Sequence, residues 1–346
     1  MEILPTSMGG RPRLAVEIRP EGVVAARADD PSALLAAVSR AEIGEGAVVP
    51  GLKAGNLVNL GSVVAAVRST LDGVSSGGRE RGKDVTVVIP DASVRVLLLD
   101  FDELPGKAEE ALPVVRFRLK KLLPFDADDA AVSYQVMASA KGSVRVLAVA
   151  MPKDVLVEYE GVVTAAGYLP GAVLPSTLAA IAALEESDTA TLVVNAGHSG
   201  VTTAIVKSGV LLLHRSLDMS VQVPDPGSAH MEAAEFDRLE AEASMQTSVL
   251  RAAEMYGLVD AMESSEIVQE VSVAAAYYED TLQSPPGVII SAGPLGAERL
   301  AAMMEESGLD GLQVRELVSS TALDAGAATS SSPRSWLAGV RGALKG

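Results

Sequence analysis

Two short hairpins constrain this chain more than any other feature. Leu14-Ala15-Val16-Glu17-Ile18 and Val23-Val24-Ala25-Ala26-Arg27 are apolar runs parted by a turn around Pro20-Glu21-Gly22. Thr191 to Asn195 and Val201 to Val206 repeat the arrangement around the glycine-rich turn Gly197 to Gly200, and Leu211 to Arg215 adds a further strand. Apolar, β-branched runs punctuated by Gly and Pro read as β-hairpins. No period of 20–50 residues repeats, so the recurrence is architectural and not that of a solenoid. A chain of 346 residues has room for about two domains at roughly 150 residues each, and each half opens with one hairpin.

Between the hairpins the pattern alternates. Gly61 to Leu71 is helical by the spacing of Val63, Val64, Val67 and Leu71. Ser75 to Lys83 reads as a mobile loop, and Val85 to Ile89 as a strand buried on both faces, broken by Pro90 and Asp91. From Ser93 the chain changes character: a strand at Val94 to Phe101, a helix at Lys107 to Leu123 ended by Pro124, strands at Ala131 to Met137 and Ser143 to Met151, and a helix from Lys153 to Gly167. That block reads as a small α+β subdomain set into a larger one. Pro175 to Leu184 is helical, and Glu185 to Thr189 is a polar joint. Later come a strand at Gly287 to Ser291, a helix at Glu298 to Ser307, an Ala- and Ser-rich stretch from Ser319 to Ser332 read as loop or weak structure, and a terminal helix at Trp336 to Leu344.

Charge narrows the function classes. There are 28 basic and 45 acidic residues, for a net charge of -17, which argues against general nucleic-acid binding. Asp225 to Asp280 alone holds 13 acids against Arg238 and Arg251. The usual reading of such a run is a solvated face. With no cysteine, disulfides, thiolate metal sites and Cys nucleophiles are excluded. His198, His214 and His230 have no metal-like spacing, and no nucleophile with its base or carboxylate pair stands out, so the expectation is no catalytic set and no metal site. Gly161 to Leu184 is uncharged, but Gly167, Pro170, Gly171 and Pro175 break it, so no transmembrane segment and no signal peptide are expected.

A hairpin at the head of each half suits closure on a phosphate, because small turn residues let backbone N–H groups reach its oxygens. Leu112 to Gln135 (LPVVRFRLKKLLPFDADDAAVSYQ), Val146 to Leu184, Leu192 to Arg215 (LVVNAGHSGVTTAIVKSGVLLLHR) and Gly287 to Gly293 (GVIISAG), the last preceded by Val268 to Tyr278, carry a likeness in order along the chain. In them the sequence resembles the type IV pilus assembly protein PilM family, actin-like proteins related to FtsA and to the cytoplasmic domain of GspL. The resemblance implies an α/β, actin-like (ribonuclease H-like), two-lobed fold with a small inserted α+β subdomain. Residues 1–92 and 169–188 would form the first lobe, 93–168 the insert, and 189–346 the second lobe with an acidic helical subdomain at 225–283.

Carried over residue by residue, the nucleotide site would consist of Asn195, Gly197, Ser199 and Gly200 at the second turn and Ala292 and Gly293 on the adenosine side. The departures weaken it. Where the family has Asp-x-Gly followed by Lys, this chain has Glu17, Arg19 and Val24; the second Asp is Asn195, and the Thr position is Val201. Without those carboxylates Mg²⁺ loses its anchors, so hydrolysis is not expected, while ATP binding with Mg²⁺ stays open. The resemblance implies a cytoplasmic scaffold peripheral to the inner membrane, binding the N-terminal tail of a PilN-like membrane protein among other pilus assembly proteins, with a homo-oligomer left open. The alternatives are an active PilM-type ATPase and a GspL-like secretion component. Arg116, Arg118, Lys120 and Lys121 cluster on the helix whose apolar residues are Val115, Leu119, Leu122 and Leu123. They are the candidate partner-binding cations, set against a plain solvated face with cations suited to the helix C-terminus.

Overall fold

The computed structural model describes residues 12–75, 83–185, 187–219, 244–309, 312–329 and 332–345. Most of the expected loop at Ser75 to Lys83, and the first part of the acidic stretch 225–283, lie outside the described residues.

The first hairpin pairs β1 (Leu14–Arg19) antiparallel with β2 (Gly22–Ala28), and β3 (Leu35–Ala41) continues the meander. Helix α1 (Leu60–Val74) then crosses to β4 (Asp84–Ile89), which lies parallel to β1, and β8 (Leu169–Pro175) lies parallel to β4. The second lobe repeats this order. β9 (Thr191–Gly197), β10 (Gly200–Lys207) and β11 (Val210–Asp218) form an antiparallel meander, and β12 (Val288–Ser291) and β13 (Gln313–Glu316) add in parallel beside β9. Both crossovers are helical: α5 (Ser244–Leu282) and α6 (Ala297–Glu306). The two sheets thus share one strand order, β3-β2-β1-β4-β8 in the first lobe and β11-β10-β9-β12-β13 in the second. Parallel strands covered on both faces need near-continuous apolar sequence. β1 is buried at every position, and β4 at every position after Asp84.

Three strands stand apart from both main sheets. β5 (Arg95–Phe101), β6 (Ala130–Ala140) and β7 (Ser143–Pro152) pair only with one another, in the order β5-β7-β6. Helix α2 (Ala108–Leu119) covers one face through Val115 and Leu119, against Leu99, Val144, Val146, Ala148 and Ala150. α2 stops at Leu119, short of the expected Leu123, and a turn follows in which the Leu122 and Leu123 amides both donate to the Leu119 carbonyl. Leu122 therefore leaves the apolar face and is 49% exposed.

Two expected boundaries are corrected. Helix α3 (Lys153–Ala165), expected in the insert, packs Val155, Tyr159, Val162 and Val163 with Val16, Val67 and Val87 in the core of the first lobe. Covalent order placed α3 with the strands before it; burial places it on the other side. The stretch after Ser319 is not loop throughout. β14 (Leu323–Thr329) pairs in parallel with β3, and helix α7 (Ala338–Leu344) packs on α4 (Ser176–Ala182) and β1, so this part returns to the first lobe. A Cβ on Gly342 would lie 1.7 Å from the Ala179 carbonyl oxygen; only glycine permits so close a helix crossing.

Candidate functional site

The two hairpin turns meet in the cleft between the lobes. In the first, Arg19 pairs with Gly22 and the turn is Pro20-Glu21; in the second, Gly197 pairs with Gly200 and the turn is His198-Ser199. The polar cleft between them is lined by Arg19, Glu21, Asp91, Ser176, Asn195 and Ser199, among others, and encloses about 40 Å³. Pockets for drug- and cofactor-sized ligands enclose roughly 300–1,000 Å³.

Side chains of the protein itself fill this place. Glu17 is fully buried, and its Oε1 stands 2.6 Å from the Arg19 guanidinium. Arg19 Nη2 also donates to Ser176 Oγ at 2.7 Å, and Ser176 Oγ donates to Glu17 Oε1 at 2.6 Å. Across the cleft, both terminal nitrogens of Arg19 reach Asn195 Oδ1 at 3.4 Å, while Asn195 Nδ2 donates to Ser176 Oγ and Thr177 Oγ1 at 2.9 Å. Asp91 accepts from the Thr177 amide at 3.1 and 3.2 Å and from Thr177 Oγ1 at 2.5 Å. Burial pushes the Glu17 carboxyl above its ordinary range, against the opposing pull of Arg19. His214, half-buried, is held below the ordinary histidine range by desolvation and is therefore neutral at neutral pH.

This arrangement binds lobe to lobe and offers little for chemistry. Glu17 Oε1 and Asp91 are committed to donors, Glu17 Oε2 is buried without a hydrogen-bond partner, and no cluster of metal-ligating side chains occurs among the described residues. Asn195, Gly197, Ser199 and Gly200 do line the cleft. Ala292 and Gly293 do not. The Ala292 amide donates to the Val194 carbonyl at 2.9 Å, and a Cβ on Gly293 would fall 2.3 Å from the Ala196 carbonyl oxygen. Gly293 thus serves close backbone packing, as does Gly200, whose Cβ would meet the Leu217 carbonyl oxygen at 2.6 Å.

Of the four cations on and after α2, two are used internally. Arg116 donates to the Ala127 and Ala130 carbonyls, and Lys120 pairs with Asp128 at 2.5 Å. Arg118 and Lys121 are exposed, with Lys121 5.9 Å above the ring of Phe117, itself 67% exposed.

Sequence reasoning missed Asp91, Ser176 and Thr177 as members of the cleft. Asp91 follows β4 and Ser176 follows β8, and the carboxyl ends of parallel strands are where α/β sheets place their sites, so the signal was positional. It also missed Asn56, a buried hub. Asn56 Oδ1 accepts from the Gly51 amide and from Ser93 Oγ at 2.8 Å each, and the Asn56 amide donates to Glu158 of α3 at 3.0 Å.

No family model matches the sequence, and no curated protein is similar to it. Among solved structures, a chain of a PilM–PilN type IV pilus biogenesis complex superposes with a TM-score of 0.70 at 18% identity, covering 96% of this chain and 98% of that one. The fold is actin-like. The ethanolamine utilization protein EutJ from Carboxydothermus hydrogenoformans (TM-score 0.48, 13% identity, 96% and 89% covered) and the cytoplasmic domain of EpsL from the type II secretion system of Vibrio cholerae (0.38, 13%, 59% and 70%) are more distant. The structural similarity to the PilM–PilN chain agrees with the resemblance carried by the sequence. No helix among the described residues is long and apolar enough to cross a membrane.

Proposed function

We propose that this protein is an actin-like scaffold of a type IV pilus or related secretion assembly, held to the inner membrane from the cytoplasmic side by the tail of a PilN-like partner, and working without nucleotide turnover. The cleft supports the second half of that reading, since the protein's own side chains occupy it. The observation that carries the first half lies on the first lobe beside α3, which follows directly on the last strand of the insert. The segment 47–59 is tied to α3 through the Gly55 and Asn56 amides, both donating to Glu158. These tied elements leave Val49, Val58, Leu60 and Val157 exposed, at 47%, 66%, 54% and 63%. Such an apolar set beside a subdomain junction suits an extended apolar tail, each buried Å² contributing roughly 25 cal/mol. Arg118 and Lys121 are the cations available to orient an incoming chain.

Calorimetric titration with a synthetic N-terminal tail of the PilN-like protein from the same genome should give a Kd of order micromolar, about -8 kcal/mol. Val157→Asp should weaken it at least tenfold while leaving the thermal midpoint unchanged. Absence of heat at high micromolar peptide would contradict the docking model.

A further inference from the structure

We infer that Glu21 is an internal anionic ligand, its carboxylate taking the place of a bound phosphate at the second turn and latching the first lobe to the second. Glu21 sits at the tip of the first turn. Its Oε1 accepts from the backbone amide of His198, at the tip of the second, at 2.9 Å. The carboxylate lies directly against Gly197, where a Cβ would stand 2.3 Å from Oε1 and 3.3 Å from Pro294 Cγ. A side chain at Gly197 would thus collide with the carboxylate and crowd Pro294. The other oxygen, Oε2, is buried and has no protein partner, a desolvation cost that the His198 amide has to offset.

Exposed turn amides favour an anion. A carboxylate held by the first hairpin is placed at this turn by the fold and not by a linker, since Glu21 and His198 lie 177 residues apart in sequence. The hairpins that would otherwise close around a ligand grip each other directly, Arg19 holding Asn195 while Glu21 holds His198. Closure of the cleft becomes a property of the sequence. The inference deepens the reading of the cleft as one without nucleotide turnover and is independent of the partner: the tail titration reads the docking surface, and anion rescue reads the latch.

The test uses the full chain with Glu21→Ala and Glu21→Gln, in chloride, acetate or inorganic phosphate at constant ionic strength. Glu21→Ala should lower the thermal midpoint by roughly 3–8 °C, with at least half of the loss restored by 50 mM acetate or phosphate and neither anion moving the wild type. Glu21→Gln keeps the volume and loses the charge, so it should fall between the two and gain nothing from anions. A Glu21→Ala protein as stable as the wild type, or a loss that neither anion restores, overturns the latch. Hydrogen exchange of the His198 amide in the wild-type chain decides the matter if the variants do not fold: protection supports the latch, and exchange at the free-loop rate refutes it.

Discussion

Gly342→Ala should be among the most damaging single substitutions in the chain. In an ordinary helix position glycine is worse than alanine by roughly 0.5–1 kcal/mol, so the change would stabilise. Here the added methyl would sit 1.7 Å from the Ala179 carbonyl oxygen, 2.8 Å from its carbon and 3.1 Å from the Ala183 nitrogen. All three are backbone atoms of or beside α4, so no rotamer change relieves the clash and α7 must lift from its site. Overpacking of this kind costs about 1–3 kcal/mol when side chains can yield; with backbone on both sides the upper end is the floor. The expected loss is at least ~3 kcal/mol, or roughly 6–12 °C in thermal midpoint. Gly161→Ala is the control, since it lies in α3 with nothing within 4 Å of its Cβ position, and it should stabilise by up to about 1 kcal/mol. Equal midpoints for the two variants would mean that α7 does not cross α4 as described.

Arg19→Met should cost about 3–5 kcal/mol, because it leaves Glu17 buried beside no positive charge. The double variant Glu17→Gln/Arg19→Met should recover most of that loss, since a buried ion pair is often replaceable by neutral groups of similar size. A urea-denaturation cycle over the four proteins measures the coupling. Single variants each within about 1 kcal/mol of the wild type would show that the pair is not what fills the cleft. The pH dependence has a definite sign. The folded-state pKa of Glu17 is raised above its ordinary 4.5, so between the two values the folded chain binds more protons than the unfolded one, and stability falls as pH rises. Removing Arg19 takes away the main influence that lowers this pKa. In Arg19→Met the decline should therefore extend to higher pH than in the wild type.

How much of this was legible beforehand differs from element to element. Both hairpins could be read, because β-branched runs and a Gly- or Pro-marked turn are local signals. So could the buried β4, whose DVTVVI leaves little alternative. β14 could not: LDAGAAT has no β-branched residue before its terminal Thr and no alternation, and it is a strand because β3 offers an edge in parallel register. The return of α7 to the first lobe depends on Gly342, whose use appears only where α4 passes. Within the site, Arg19, Asn195 and the second turn were identifiable from their places in the hairpins. Glu21 was not, because an acid in a turn looks like solvent-facing charge until the other turn is beside it. Arg116 misleads in the opposite sense, as a cation in a basic run whose guanidinium is bound to the Ala127 and Ala130 carbonyls.

A cleft closed by the protein's own residues is expected to take no nucleotide. Calorimetric titration of the purified full chain with Mg·ATP tests it most directly. The expected result is no saturable heat up to about 1 mM, equivalent to an affinity weaker than roughly -4 kcal/mol. Saturable, Mg²⁺-dependent binding in the micromolar range would contradict it, because Arg19 and Glu21 would then have to leave the cleft to admit the ligand.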